Sequence, residues 1–238
     1  MPSPGVLSPG ARVYAVGDVH GCAERLDALH RLIARDLAKA PAVRPLLVHL
    51  GDYIDRGPDS AGVVARLAAG SPLPGVPMVN LRGNHEQMML DALTGDPDAA
   101  RQWRGNNGDA TLRNWGISPK SRASGWAAAL PARDLAFLRG LKLFFRMDGY
   151  VFVHAGLRPG VPLLDQNPED MLWIREVFLK SIGPLLPEAP TLVAVHGHTP
   201  EPAPVVTDNR IGVDTGAVRG GALTCAVLEG TEVRFLAV

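Results

Sequence analysis

The chain has 238 residues, 46% of them hydrophobic, with 24 basic and 24 acidic side chains. That size and apolar share suit one α/β unit with room for a small subdomain, and zero formal net charge gives no general pull toward nucleic acid or a membrane surface. No apolar run is long enough to span a bilayer, and residues 1–10, rich in Pro, Gly and Ser, lack a basic-then-apolar signal pattern, so a cytoplasmic location is expected.

Residues 12–16 predict a first strand, ending in Gly17-Asp18-Val19-His20-Gly21. A helix is predicted over 22–38, where Leu26, Leu29, Ile33 and Leu37 recur at helical spacing. Cys22 opens it; a helix N-terminus can lower a thiol pKa, but a small packed side chain is the favoured reading. Cys22 and Cys225 lie far apart and are expected as reduced thiols. After Pro41 and Pro45, the apolar run at 46–50 predicts a second strand, which delivers Gly51-Asp52-Tyr53-Ile54-Asp55-Arg56-Gly57. Two carboxylates and a guanidinium at a strand end need neutralising partners. A divalent metal for Asp52 and a phosphate oxyanion for Arg56 would supply them.

A second helix is predicted from Asp59 or Ser60 to 69. A Gly/Pro loop leads to a strand at 78–82, then Gly83-Asn84-His85-Glu86 and a helix through Leu93. Three strands each ending in a Gly-led polar turn before a helix imply a largely parallel inner sheet with right-handed crossovers. Asp18, His20, Asp52, Asn84 and His85 would then meet at the carboxyl edge, where ligands bind in open α/β sheets.

Residues 95–148 predict a helical insert with three of the four tryptophans, Trp103, Trp115 and Trp126. These are expected to anchor a local core rather than to stack on a base. Nine basic against five acidic residues in the insert favour an anionic ligand nearby. A strand at 149–153 ends at His154-Ala155-Gly156; a helix is predicted over 168–181, with Arg175 among apolar neighbours; a strand at 191–195 ends in His196-Gly197-His198-Thr199-Pro200. Short β segments at 210–214, 222–228 and 232–238 predict an antiparallel section, expected as a second sheet stacked on the first. The whole chain, 1–238, is expected to be one domain.

The strand ends thus supply Asp18, His20, Asp52, Asn84, His154 and His198, oxygen and imidazole donors only. Such a set suits Mn, Fe or Zn rather than a thiolate site. Six donors exceed what one catalytic ion with an open position needs, and they suit two ions sharing a carboxylate. Asp18 and His20 can reach one ion, and Asp52 can bridge to the other. His30 and His49 are expected as packed or surface residues, and Glu86 as a partner of the ligands or a helix-start charge.

The motifs at 17–21, 51–57, 83–86, 154–156 (His-Ala-Gly) and 197–199 (Gly-His-Thr) resemble, in order, those of the calcineurin-like metallophosphoesterases. More narrowly they resemble the bacterial and phage branch of the PPP-type serine/threonine protein phosphatases. The resemblance runs from about Val13 to Gly216. It implies an αββα sandwich of two stacked mixed β-sheets flanked by helices, and two divalent ions, manganese expected, with iron or zinc as alternatives. It implies Asp18, His20 and Asp52 as ligands of the first ion, and Asp52, Asn84, His154 and His198 of the second. His85 matches the proposed general acid, Asp55 its orienting carboxylate, and Arg56, Asn84 and Arg175 the phosphate-binding set. Many relatives place a further ligand two residues after the Gly-His histidine; here that position is Pro200, which cannot ligate, so His196 is expected to support the site rather than join it.

The resemblance implies attack on phosphorus by a hydroxide bridging the two ions, acting on phosphorylated proteins or peptides as substrates. The alternative is a symmetrical diadenosine tetraphosphate hydrolase, whose usual motifs replace the acid before the arginine and end in Gly-Asn-His-Asp; Asp55 and Glu86 depart from both. A protein that only binds is the third reading, disfavoured by the full set of ligands and acid.

Overall fold

The apolar run at the N-terminus becomes β1 (Ala11–Val16), buried along its whole length. In the computed structural model, which describes residues 1–238, α1 (Ala23–Lys39), β2 (Arg44–His49), α2 (Ser60–Ala68), β3 (Met78–Asn80) and α3 (Asn84–Ala92) follow in the expected alternation. β1 pairs parallel with β2, and β2 with β3. Asp59 caps α2, its carboxylate accepting from the Gly62 N–H at 2.8 Å. The insert comprises α4 (Pro97–Gly105), α5 (Gly108–Asn114), α6 (Trp126–Ala129) and α7 (Ala132–Arg139). Trp103 and Trp126 are buried with ring centres 5.9 Å apart, and both join the core under α1 and α2.

The helical character of 95–148 stops at Arg139. Residues 144–147 form β4 (Phe144–Met147), which pairs antiparallel with β5 (Tyr150–Val153). Then come α8 (Pro168–Trp173), α9 (Glu176–Leu179), β6 (Val193–His196), β7 (Val205–Val206), β8 (Arg210–Gly212), β9 (Thr224–Glu229) and β10 (Glu232–Ala237). The helix expected over 168–181 is therefore two. Ile174 turns extended (ψ 140°) and Arg175 leaves the helical region (φ −132°, ψ −96°). The break takes Arg175 out of the buried stripe formed by Met171, Leu172 and Phe178.

The tail also differs from expectation. It does not make a sheet of its own but divides between two, in the orders β10-β9-β1-β2-β3 and β4-β5-β6-β8-β7. β8 runs parallel to β6, whereas β9 runs antiparallel to β1, with Val13 opposite Leu228. Alternation along so short a strand sets which residues share a face but not which strand is the neighbour.

Three apolar layers hold the sandwich together. Val13, Ala15, Val48, Leu50, Phe152, Val195, Ile211 and Leu228 fill the space between the sheets. Tyr14, Val16 and Leu47, on the opposite face of the first sheet, pack on Leu26, Leu29, Ile33 and Val63. Val151, Val153 and Ala194 pack on Met171 and Phe178 outside the second sheet. Strands buried on both faces explain the continuous apolar runs that betrayed them. This two-sheet stack is the αββα architecture, and it brings the carboxyl ends of β1, β2, β3, β5 and β6 to one rim. No helix is long and apolar enough to cross a membrane.

Candidate metal centre and active site

The rim is built from strained turns. His20, Asp52, Asp55, Arg56 and His198 all adopt positive φ, between 44° and 68°. Each such non-glycine residue costs about 1–3 kcal/mol and persists only where its surroundings over-determine it. Here they do. The buried Glu86 carboxylate accepts four backbone hydrogen bonds: from Asp52 (2.8 Å) and Gly83 (2.9 Å) at Oε2, and from Tyr53 (2.8 Å) and Ile54 (3.2 Å) at Oε1. The Val19 and His20 N–H groups donate to the Asp52 carbonyl at 3.0 and 2.8 Å, lacing the first turn to the second. Gly51 (φ 104°) has no room for a Cβ, because the Gly83 backbone lies against it.

On this frame the donors converge. The two oxygens of Asp52 face different partners: Oδ2 lies 3.4 Å from His20 Nε2, and Oδ1 lies 3.4 Å from His154 Nε2. Asn84 Oδ1 sits 2.9 Å from His154 Nε2 and 3.1 Å from His198 Nδ1. Asp18 reaches the same rim, accepting from the His198 backbone N–H at 3.1 Å. Backbone carbonyls fix two of the rings: His20 Nδ1 bonds Ile54 O at 2.8 Å and His154 Nδ1 bonds Leu50 O at 3.0 Å, which turns each Nε2 toward the rim. Ligand atoms of Asp52, His154 and His198 all lie within 4.8 Å of one another, as do those of His20, Asp52 and His85.

Next to Asp52, His85 Nδ1 bonds Asp55 Oδ2 at 2.6 Å. Trp103 Nε1–H donates to the same oxygen at 2.9 Å and the Thr111 hydroxyl to Oδ1 at 2.6 Å. His85 Nε2, 4.0 Å from Asp52 Oδ2, is buried without a hydrogen-bond partner. Arg56 Nη1 donates to His20 Nε2 at 2.6 Å, and Arg175 Nε to His198 Nε2 at 3.2 Å. Both arginines line a cavity of about 230 Å³ with Asp52, Asn84, Trp173 and His198. A larger cavity, about 430 Å³, lies on the insert and holds none of these donors; Arg101 and Arg104 on its wall are ion-paired to Asp98 and Asp109.

Burial dominates the electrostatics. It raises Asp18, which Asp214 and Asp52 raise further by repulsion, and it raises Asp52, helped by Glu86. It pushes His154 down to about 3 and lowers His20. Buried carboxylates that repel one another, beside neutral imidazoles, form an environment that a divalent cation would neutralise. The all oxygen-and-nitrogen donor set fits such ions.

The model of the calcineurin-like phosphoesterases matches residues 11–226. The chain belongs to this family. Similar proteins include serine/threonine-protein phosphatase 1 of Salmonella typhimurium, 34% identical over 91% of this chain and 92% of that protein. The symmetrical bis(5'-nucleosyl)-tetraphosphatase of Nitrosomonas europaea is 33% identical over 61% of this chain and 45% of its own length. A solved structure provisionally named a diadenosine tetraphosphatase superposes with a TM-score of 0.64 over 98% of this chain and 96% of its own, at 24% identity, which speaks to the fold.

In this phosphoesterase several supporting residues were not legible in the sequence. Thr111 and Trp103 come from the insert, and nothing in their spacing points to Asp55. Asp214 sits beside Asp18 at the end of a short β segment and carried no motif. Glu86 does more than start a helix, since its carboxylate organises the opening turn. His196 stays out of the donor group: its Nδ1 faces the Gly197 carbonyl at 3.0 Å and its ring packs on Phe178. His30 and His49 are packed, their Nε2 atoms 2.9 Å apart, with His49 Nδ1 bonded to Asn80. Cys22 is half-buried with its thiol pKa raised by burial, and Cys225 is buried; both are free thiols.

Proposed function

We propose that the protein is a metal-dependent serine/threonine protein phosphatase. The observation that carries this reading is the buried His85–Asp55 pair beside Asp52. Serine and threonine alkoxides are poor leaving groups, and a positioned proton donor matters most for them. Asp18, His20 and Asp52 would hold one divalent ion, and Asp52, Asn84, His154 and His198 another. When bound, such ions supply Lewis acidity toward water and phosphate oxygens. Arg56 and Arg175 grip the phosphoryl oxygens as planar forks and offset charge as it develops. Asp55, itself held by Thr111 and Trp103, occupies His85 Nδ1 and leaves Nε2 to serve the departing oxygen. Burial and the Arg56 charge push His85 down to about 3. A phosphate dianion on Arg56 offsets the second cause, so substrate binding itself favours the proton on His85.

Similarity over nine-tenths of both chains to a serine/threonine phosphatase supports the reading. So does the cavity: 230 Å³ suits a phosphorylated side chain, being below the roughly 300–1,000 Å³ that encloses a drug-sized ligand. The second reading, a symmetrical dinucleoside tetraphosphatase, is favoured by the 33% identity to that enzyme from Nitrosomonas europaea. Manganese-loaded protein given phosphoserine and phosphothreonine peptides and diadenosine tetraphosphate side by side separates them. Peptide turnover about tenfold or more above the dinucleotide, as kcat/KM, is expected. Rapid ADP release with inert peptides overturns the proposal in favour of the second reading.

A further inference from the structure

We infer that Arg219, with Asn106 and Trp173, forms a second anion subsite at the mouth of the phosphoryl site, selecting phosphopeptides with an acidic residue beside the phosphorylated serine or threonine. The substrate class rests on the phosphatase reading above; the subsite stands on separate residues. Arg219 lines the same cavity as Arg56 and Arg175. Arg12, Arg66, Arg104, Arg158 and Arg234 are each neutralised by a carboxylate within 3 Å. Arg219 has no carboxylate within 4.0 Å and makes no side-chain hydrogen bond, its charge reaching the Asp214 carboxylate only from beyond that distance. Three guanidinium groups therefore open on one cavity, and a single phosphoryl group held by Arg56 and Arg175 leaves the third unmatched.

The loop that carries Arg219 is tied down. Gly216 and Gly220 take positive φ (69° and 94°) on either side of the turn. The Arg219 and Gly221 N–H groups both donate to the Gly216 carbonyl, at 2.8 and 3.0 Å. Asp214 accepts from the Gly216 N–H at 3.0 Å, the Thr215 hydroxyl donates to the Ala222 carbonyl at 2.7 Å, and Arg25 donates to the Gly221 carbonyl. These bonds fix the backbone from which the exposed Arg219 side chain projects. The other walls supply donors too. Asn106 ends α4 and has one amide N–H left after bonding the Gln102 carbonyl. Trp173 stands edge-on to His198, its ring 6.0 Å away, with its indole N–H unpaired. A guanidinium, an amide and an indole N–H ask for an acceptor-only group such as a carboxylate or a second phosphate.

The test uses the manganese-loaded full chain and two matched peptides, one phosphoserine flanked by glutamates and one flanked by alanines. Hydrolysis gives kcat/KM, and calorimetry with the non-hydrolysable phosphonate versions gives Kd. Wild type is expected to favour the glutamate peptide about tenfold in both, the difference lying in KM and shrinking with added salt. Arg219→Met is expected to bring the ratio to about twofold or less and Arg219→Lys to an intermediate value, since a lysine keeps the charge but not the fork. A wild-type ratio near one, no binding of either phosphonate, or an Arg219→Met protein that keeps both its wild-type Tm and the tenfold ratio overturns the subsite. If peptides bind but only the dinucleotide is hydrolysed, the phosphatase reading fails while the calorimetric ratio still decides the subsite.

Discussion

Replacing Glu86 by Gln tests the frame on which the site is built. The carboxylate accepts two backbone N–H groups at each oxygen. An amide keeps one oxygen and turns the other into a donor, which then faces two N–H donors in a fully buried space. Leaving a buried donor unsatisfied costs about 1–3 kcal/mol, so two of them predict a loss of roughly 4 kcal/mol. The loss falls on the turn that holds Asp52, Asp55 and Arg56 at positive φ, and that turn can relax once its tether is gone. Urea unfolding of Glu86→Gln should therefore show a midpoint shift equivalent to about 4 kcal/mol, together with weakened manganese binding in calorimetry. A loss under about 1 kcal/mol with metal affinity intact would mean that the strained turn holds itself and that Glu86 is not its tether.

Other perturbations address separate parts of the molecule. His85→Asn should slow hydrolysis of a phosphoserine peptide by about 10²–10⁴ while leaving metal content unchanged. An aryl phosphate, whose leaving group needs no proton, should lose much less; equal losses on both substrates would remove His85 as the acid. His30, pushed by burial from 6.5 to about 4, takes up its proton in the unfolded chain at a higher pH than in the folded one. Acidification from pH 6.5 to 4 should therefore cost the wild type up to about 3 kcal/mol of stability from this group. His30→Gln should flatten that slope, and an unchanged profile in urea melts across this range would contradict it.

How much of this was legible in the sequence follows from range. The six donors and His85 all sit one to five residues beyond the end of a strand, and a parallel sheet sends such positions to one rim whatever lies between them. That made Asp18, His20, Asp52 and Asn84 readable without coordinates, and the rim does bring His154 and His198 against Asn84. What sequence could not carry was pairing between distant segments. Thr111 and Trp103 meet Asp55 only because the insert folds back over α2. β9 lies beside β1, and β8 beside β6, for reasons of packing on both faces that a short alternating run does not encode. The break at Ile174 and Arg175 was hidden because Met171, Leu172 and Phe178 keep helical spacing across it.

The claim that everything else depends on is that the Asp52 carboxylate stands between two divalent cations. Anomalous diffraction from manganese-soaked crystals tests it most directly. Two peaks are expected, one beside Asp18 and His20, the other beside Asn84, His154 and His198, with an Asp52 oxygen next to each. A single peak, or peaks whose neighbours exclude Asp52, would contradict it.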